Sequence, residues 1–367
     1  MATAMSTFPS SLADLVTRLL KTRDMFNASR LRLARQRLGL TLTKLAEQSG
    51  VSLRSLTNYE NDRQPPSEES LAKLALALSV SRAFFEGDSI EPVPVAAASF
   101  RKLSKTTATR RDAVLANAAL TLAFFDAIEQ RFNLPDPDIP SLDKLEPGQA
   151  ADLVRHRWNL GDRPIPNLLH LLESKGVRIA ALRHEYSDID AFCFWRDAVP
   201  FVFLNTAKSA ERQRFDAAHE LGHLVLHGED EMEPSTSKVR EAEANAFAAN
   251  FLMPRSAVLT HSMRGAGLER ILVARSFWKV SAMAMTHRLH ELELLTPWQY
   301  RSMCISLSDQ GYRTTEPGGI VPETSQLLRK VMYGRAARLT IKDAASDLNL
   351  DARDVREFVH NLVPISA

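Results

Sequence analysis

Residues 214–227 read Arg-Phe-Asp-Ala-Ala-His-Glu-Leu-Gly-His-Leu-Val-Leu-His, and the rest of the chain is interpreted around them. The stretch has no proline and a single glycine, so it predicts a helix. Residues four apart share one face of a helix, which lets His219 and His223 reach the same metal ion. Glu220 lies about 100° around the helix from His219, close to such an ion without having to bind it. This spacing is typical of two imidazole ligands beside a carboxylate that holds a water molecule at the metal.

The flanking residues help to distinguish a metal-binding helix from a surface helix with satisfied histidines. The apolar flanks lie on nearly every side of the helix: Phe215, Ala217, Ala218, Leu221, Leu224, Val225 and Leu226. Such a helix is predicted to be buried, and buried histidine and glutamate side chains need partners. The flanks therefore favour a metal centre.

Residues 239–252 predict a second helix, whose many alanines would let it pack closely against the first. A carboxylate from this helix would complete a catalytic zinc site with three protein ligands and one open position. Glu241 is the predicted third ligand, and Glu243, on a different face, is the alternative. Asn245 is predicted to orient one of the histidine ligands from outside the ligand shell.

His227 lies four residues beyond His223 on the same helical face. We predict that it supports the ligands from outside the metal shell, as Asn245 does. A third imidazole near the site, a substrate-binding group and a plain surface histidine are the alternatives.

Composition sets broad limits on the chain. Its 367 residues are enough for two or three domains. The net charge of +2 gives no general argument for nucleic-acid binding, so any basic surface must be local. Cys193 and Cys304 are predicted to be buried free thiols of a cytoplasmic protein. No apolar run approaches the roughly 18 residues of a membrane span.

Residues 27–90 predict a compact, all-helical unit. Asn27 or Ser29, Thr41, Ser52 and Ser67 are each placed to cap the start of a short helix. Short helices joined by a glycine turn form a helix-turn-helix, whose later helix would enter a DNA major groove with its N-terminus first.

Polar and basic side chains of this unit are the candidate contacts to double-stranded DNA. The predicted base-edge contacts are Arg54, Ser55 and Asn58. The other predicted DNA contacts are Thr41, Thr43, Lys44, Asn61 and Arg63, which would touch phosphates, and Ser52, which caps the helix that enters the groove. The whole region is basic: Arg30, Arg32, Arg35 and Arg37 precede these residues.

Residues 40–46, 50–52, 59–61, 66–67 and 71–80 resemble the XRE (phage-repressor-like) helix-turn-helix family. Leu42 and Leu53 stand where that family often carries polar residues that touch DNA, so the resemblance implies DNA binding with an open site preference. A helical protein-interaction module is the alternative. A homodimer would fit an operator with half-sites about 34 Å apart.

From Ile139 the chain predicts mixed helices and strands, with one strand at 177–182 and a hairpin formed by 191–195 and 199–205. Pro200 predicts that one hairpin strand lies at a sheet edge. An exposed edge next to a metal helix can pair with an extended peptide backbone.

Residues 139–256 resemble the ImmA/IrrE family of metallopeptidases. The resemblance rests on Asp190-Ala-Phe, Phe203-Leu-Asn, and the segments 214–227 and 241–254. It implies a gluzincin-like zinc endopeptidase, with manganese as the alternative ion, that cuts XRE-type repressor proteins. Such cleavage would release stress, phage or mobile-element genes.

We therefore predict a multidomain, mainly α protein. It combines an all-α helix-turn-helix domain with an α+β zincin-like metallopeptidase domain, which has a small antiparallel sheet and a helical C-terminal tail. The predicted boundaries are 1–26 for an N-terminal extension, 27–90 for the DNA-binding domain, 91–138 for a linker and connecting helix, 139–300 for the peptidase domain and 301–367 for a helical C-terminal domain. The alternative is a DNA-binding regulator whose zinc domain is a non-catalytic sensor or dimerisation platform, or an antitoxin-like module that binds a partner.

Overall fold

A computed structural model describes residues 26–94, 107–186, 188–228, 237–261, 263–335 and 338–363. The N-terminal extension predicted for residues 1–26 falls outside these ranges except for Phe26, and so does the linker segment 95–106. The described residues form two compact units. The first contains 26–93, 107–127 and 341–355, and the second contains the remaining described residues.

The secondary structure of the described residues is mainly helical. In chain order the elements are α1 Ala28–Arg37, α2 Leu42–Ser49, α3 Leu53–Glu60, α4 Glu68–Leu78, α5 Ala108–Glu129, α6 Pro147–Arg157, α7 Leu168–Ser174, β1 Arg178–Ala181, β2 Ala191–Arg196, β3 Val199–Leu204, α8 Ala210–Leu226, α9 Ser237–Leu252, α10 Arg255–Thr260, α11 Leu268–Trp278, α12 Ala282–Glu291, α13 Pro297–Asp309, α14 Gln326–Tyr333, α15 Ile341–Leu348 and α16 Ala352–Phe358. Short 3-10 turns occur at Arg82–Glu86 and His184–Tyr186.

The first four helices begin where the capping residues predict. The side chains of Asn27, Thr41, Ser52 and Ser67 each accept a hydrogen bond from a backbone N–H in the first turn of α1, α2, α3 and α4. Gly50 adopts φ +68° after α2, the left-handed conformation that glycine reaches without steric cost. The predicted helix-turn-helix is therefore confirmed as α2, a glycine turn and α3.

Residues near the C-terminus belong to this first unit. A β-bridge joins Val80 to Leu350, and the backbone carbonyl of Asn349 accepts a hydrogen bond from Ser81. Arg37 is 1% exposed and forms an ion pair with Asp354 at 2.7 Å. The capping and apolar patterns of the sequence carry no signal for this long-range packing.

The sheet has the strand order β1-β3-β2, and it is mixed. β2 and β3 form the predicted antiparallel hairpin, but β1 pairs with β3 in parallel, so the prediction of an antiparallel sheet is wrong in this part. β3 rather than β2 lies beside β1, and β1 and β3 run in the same direction.

One hairpin strand lies at a sheet edge, as predicted, but it is β2, whereas Pro200 itself lies in the central strand β3. Pro200 is opposite Trp195 of β2, and pairing of β3 with β1 begins one residue later, at Phe201. The proline is tolerated because β3 has no β1 partner at that position. The edge strand nearest α8 is β2.

α5 is the longest described helix, and all its residues from 113 to 122 are buried within the chain. Among the described residues no helix has the length and apolar character needed to cross a membrane.

α8 and α9 pack against each other at close range. α8 is buried on nearly every side, as its apolar flanks predict. At Gly222 an added Cβ would lie 3.2 Å from both Cα and the carbonyl oxygen of Ala244 and 3.1 Å from the ring of Phe247. This glycine lets the two helices approach closely enough for side chains from both to meet.

Gly222→Ala is expected to lower the free energy of unfolding by about 1–3 kcal/mol, because two of the close contacts are backbone atoms that cannot rotate away. The better helix preference of alanine, about 0.5–1 kcal/mol, offsets only part of that cost. Gly148→Ala in α6 is a matched control, since its Cβ would meet Asn250 at an ordinary 3.5 Å. Thermal unfolding of both variants measures the difference. A Gly222 variant as stable as the control would show that the helices are not closely fitted here.

Candidate metal centre and DNA-binding surface

Three side chains from two helices converge on one point. α8 contributes His219 and His223, whose Nε2 atoms are 3.0 Å apart. α9 contributes Glu241, whose carboxylate oxygens lie 3.7 Å from His219 Nε2 and 3.6 Å from His223 Nε2. Together these residues form a group able to hold a metal ion, with donor atoms that all lie within 4.8 Å of one another.

The dimensions of this group suit a tetrahedral zinc ion. Ligand bonds of about 2.0–2.1 Å place neighbouring donors roughly 3.3 Å apart, close to the separations in this chain. Burial, reinforced by the neighbouring His223, lowers the pKa of His219 to about 4. The ring is therefore neutral near pH 7, as a metal ligand must be. Two nitrogens and one carboxylate leave a fourth position open.

Glu220 is buried beside this group. Burial raises its pKa to about 8, and Asp216 and Glu241 act in the same direction through like-charge repulsion. None of the described residues forms a hydrogen bond with its Oε2 atom. A buried carboxylate oxygen without a partner is costly, so this atom is suited to a water molecule or a substrate group at the open metal position.

The structure separates the two candidate glutamates of α9. Glu241 faces the two histidines, whereas Glu243 accepts a hydrogen bond from His227 Nε2 at 2.9 Å. His223 Nδ1 and His227 Nδ1 are also 2.9 Å apart, and His219 Nδ1 lies 3.0 Å from Asn245 Oδ1. The geometry thus favours Glu241 as the ligand and puts Asn245 and His227 against the outer nitrogens of the two histidines. Burial, together with its neighbour His223, lowers the pKa of His227, although the hydrogen bond to Glu243 acts the other way.

The first unit presents an exposed surface around α2 and α3. Lys44, Arg54 and Arg63 are exposed, and they form no ion pair with any residue that the structure describes. Thr43 and Asn61 are exposed as well, while Ser55 and Asn58 are half-buried. These side chains are free to contact a nucleic acid.

Some residues near this surface have structural roles. Thr41 and Ser52 are helix caps, and the Ser52 hydroxyl also lies 2.8 Å from that of Ser55. Asn61 donates its amide to Thr57 O at 2.8 Å. Their polar groups remain at the surface. A hydroxyl that accepts a backbone N–H at a cap still has its own proton to donate to a phosphate oxygen.

Most basic side chains of α1 are used within the protein. Arg35 forms two hydrogen bonds with the buried Glu60 carboxylate at 2.6 and 2.9 Å, and Arg32 donates to the Glu60 carbonyl. Arg30 donates to the Asp88 carbonyl at 2.6 Å. The local basic character of the sequence therefore overstates the charge available for DNA.

Comparisons with known proteins agree with the two kinds of domain. Residues 31–85 match the model of the helix-turn-helix family, and residues 172–290 match that of the IrrE N-terminal-like domain. The chain combines a helix-turn-helix domain with an IrrE N-terminal-like domain. This family of metallopeptidases implies a divalent metal ion at the converging His219, His223 and Glu241 side chains.

A relative with a curated description matches part of the chain. The Radiation response metalloprotease IrrE of Deinococcus radiodurans (strain ATCC 13939 / DSM 20539 / JCM 16871 / CCUG 27074 / LMG 4051 / NBRC 15346 / NCIMB 9279 / VKM B-1422 / R1) is 33% identical over 78 residues, which cover 17% of this chain and 24% of that protein. The match therefore spans about a quarter of the relative's length.

The IrrE N-terminal-like domain contains a thiol that the sequence does not connect with the site. Cys193 of β2 is buried, and its Sγ donates to the backbone carbonyl of Glu220 at 3.4 Å. The neighbouring thiol lowers the pKa of the Glu220 carboxyl, against the larger effect of burial. The apolar pattern of β2 does not predict that Cys193 lies next to Glu220.

Ion pairs also hold the start of α8. Lys208 pairs with both Asp190 and Asp216, and burial lowers its pKa. Arg214 is 1% exposed and pairs with Glu323. The motifs that carry the family resemblance include Asp190, Arg214 and Asp216. These ion pairs explain why charged residues occupy those motif positions.

Proposed function

We propose that this chain is a DNA-binding transcriptional regulator whose IrrE N-terminal-like domain is a zinc-dependent endopeptidase. Its substrate is proposed to be an XRE-type repressor protein, and its effect the release of stress, phage or mobile-element genes. The observation that carries the proposal is the unpartnered, buried Oε2 atom of Glu220 beside three converging metal donors. Such a chain acts in the cytoplasm, where its operator and its substrate meet.

In this proposal His219, His223 and Glu241 hold the metal, and Asn245 and His227 support the two histidines. A zinc ion bound there would act as a Lewis acid toward the scissile carbonyl and the attacking water. Positive charge among the three donors also lowers the pKa of Glu220 from its raised value, because an opposite charge favours the carboxylate.

Glu220 is the proposed general base and general acid. Its carboxylate accepts a proton from water while the water oxygen forms a bond to the scissile carbonyl carbon. The same carboxyl then gives that proton to the leaving nitrogen as the C–N bond breaks, so the products are one new carboxyl terminus and one new amino terminus.

A non-catalytic zinc domain, serving as a sensor, a dimerisation platform or an antitoxin-like partner module, is the competing function. A purely structural metal site has no use for Glu220, whose burial raises its pKa and leaves one oxygen without a hydrogen bond. Burying such a group is unfavourable unless another benefit offsets it. The geometry therefore supports the peptidase better.

The peptidase is tested with the zinc-loaded full chain and a library of peptides prepared from a bacterial proteome. New peptide termini identified by mass spectrometry, sharing a common sequence around the cleaved bond, are the expected result. A library that remains intact with a fully zinc-loaded chain and with a chain carrying manganese contradicts the proposed activity.

DNA binding depends on Arg54 in this proposal. Arg54→Ala is expected to weaken operator binding by about 10- to 100-fold, because one base contact contributes about 1–3 kcal/mol. Lys73→Ala is the matched control, since Lys73 lies on α4 and pairs with Glu69. Fluorescence anisotropy with an operator selected from random DNA measures both variants. Equal losses for the two variants would contradict this recognition surface.

A homodimer on an inverted repeat is also part of the proposal. The protected DNA should then contain two half-sites about 34 Å apart, one helical turn. Binding should weaken steeply with salt, because phosphate contacts release counterions. Footprinting and salt titration on the selected operator check both features, and a single half-site bound by a monomer would contradict the dimer.

A further inference from the structure

Each histidine at the metal group has a second nitrogen that faces away from the group. His219 turns its Nδ1 to Asn245, and His223 turns its Nδ1 to His227 Nδ1 at 2.9 Å. His227 in turn places its Nε2 2.9 Å from Glu243 Oε2. A continuous line of contacts therefore leads from Glu243 through His227 to His223.

The chemistry of imidazole allows one consistent set of proton positions along this line. The Nε2 atom of His223 faces the other donors, so a metal there leaves its single ring proton on Nδ1. The Nδ1 atom of His227 must then accept that proton's hydrogen bond. A neutral His227 consequently carries its own proton on Nε2, where the Glu243 carboxylate accepts it.

We propose that His227 and Glu243 are positioning residues, acting as one unit that fixes the ring orientation and tautomer of His223 at the metal. This inference rests on the proposed zinc centre and adds the residues that orient one of its ligands. Metal-bound histidines usually donate their outer N–H to a carboxylate or carbonyl, and that partner sets the orientation of the ring. Here the carboxylate acts through a second imidazole rather than directly.

The burial of His227 and of Glu243 determines how much each contributes to zinc binding through His223. The His227 side chain is 10% exposed, whereas Glu243 is 41% exposed. Water can replace part of the hydrogen bond that Glu243 accepts from His227, but it has little access to the contact between the Nδ1 atoms of His223 and His227. Loss of the His227 acceptor is therefore expected to cost more than loss of the Glu243 carboxylate.

The same line of contacts gives Glu243 a role that excludes metal binding. Its Oε2 accepts from His227, sixteen residues away in the chain, while Glu241 faces the two histidine Nε2 atoms. Glu243 should then influence the metal only when His227 is present to transmit the effect. This dependence distinguishes the inference from direct ligation.

The test measures zinc affinity of the full chain by competition with a chromophoric chelator. His227→Phe removes the acceptor but keeps the ring shape, and it is expected to weaken zinc binding by about 10- to 100-fold. His227→Asn keeps an acceptor at the place of Nδ1, as Asn245 does for His219, and should stay within about threefold of the wild type. Glu243→Ala should fall between these variants, and in the His227→Phe background it should have no further effect.

A second readout follows the tautomers directly. In the zinc-loaded protein with ¹⁵N-labelled histidine, long-range nitrogen–proton spectra should show a proton on Nδ1 of His223 and on Nε2 of His227. Melting temperatures of all variants identify any that fail to fold, and His227→Asn then carries the comparison together with Glu243→Ala.

The outcomes separate the inference from the function on which it rests. Equal zinc affinities for wild type and every folded variant overturn the inference, as does a further loss from Glu243→Ala in the His227→Phe background. A wild-type chain that binds no zinc overturns both the inference and the zinc peptidase. A chain that binds zinc with the expected ranking of variants but cuts no peptide supports the inference while the peptidase fails.

Discussion

Glu220→Gln is expected to abolish peptide cleavage and leave the zinc content of the protein unchanged. The amide cannot take a proton from the attacking water or return it to the leaving nitrogen, and general acid–base catalysis contributes about 10²- to 10⁴-fold to the rate. Glutamine has nearly the same shape, and Glu220 does not belong to the group of donors that could hold a metal. Metal binding should therefore survive.

This expectation is measured as kcat/KM on a peptide taken from the library, with zinc content determined on the same preparation. Glu269→Gln is the matched control, because Glu269 is exposed on α11. A Glu220 variant that cuts at the wild-type rate would remove Glu220 from the mechanism. A variant that loses its zinc would show that Glu220 is instead needed to hold the ion.

Glu241→Ala is expected to weaken zinc binding by more than 100-fold, beyond the roughly 10- to 100-fold that loss of an outer partner costs. The variant would leave the ion with only His219 and His223 from this group and without a negative charge opposite them. Cleavage should disappear at zinc concentrations that saturate the wild-type chain.

Glu243→Ala is the matched comparison, two residues away on the same helix. If Glu241 is the ligand, its variant must bind zinc much more weakly than the Glu243 variant. The reverse order would make Glu243 the ligand and would contradict the geometry in which it contacts His227. Chelator competition on both variants under one set of conditions decides between them.

Residue patterns within a few positions of each other predict the helix starts and the facing histidines of this protein. Thr41 and Ser52 cap their helices because the partner N–H groups are only three residues away. The buried helix α8 and the facing histidines follow from apolar flanks and a four-residue spacing. The convergence of Glu241 on these histidines joins two helices, and the alanines of α9 together with the ligand needs of a zinc site predict it.

Long-range contacts are the features that such signals miss. The sequence predicts a hairpin, but it does not say which hairpin strand will pair with β1. It also gives no sign that Asp354 forms a buried pair with Arg37, more than three hundred residues earlier. Cys193 against Glu220 is a third example, because its place depends on how β2 packs on α8. Each of these contacts is set by tertiary packing, which residue spacing does not encode.

The most direct test of the central claim compares protein termini in cells that express the wild-type chain with those in cells that express Glu220→Gln from the same locus. At least one new terminus, within an XRE-type repressor, is expected only with the wild-type chain. Genes controlled by that repressor are expected to be released in the same cells. If no terminus differs while both proteins carry zinc and bind the same DNA, the chain is a regulator with a metal-stabilised domain and not a peptidase.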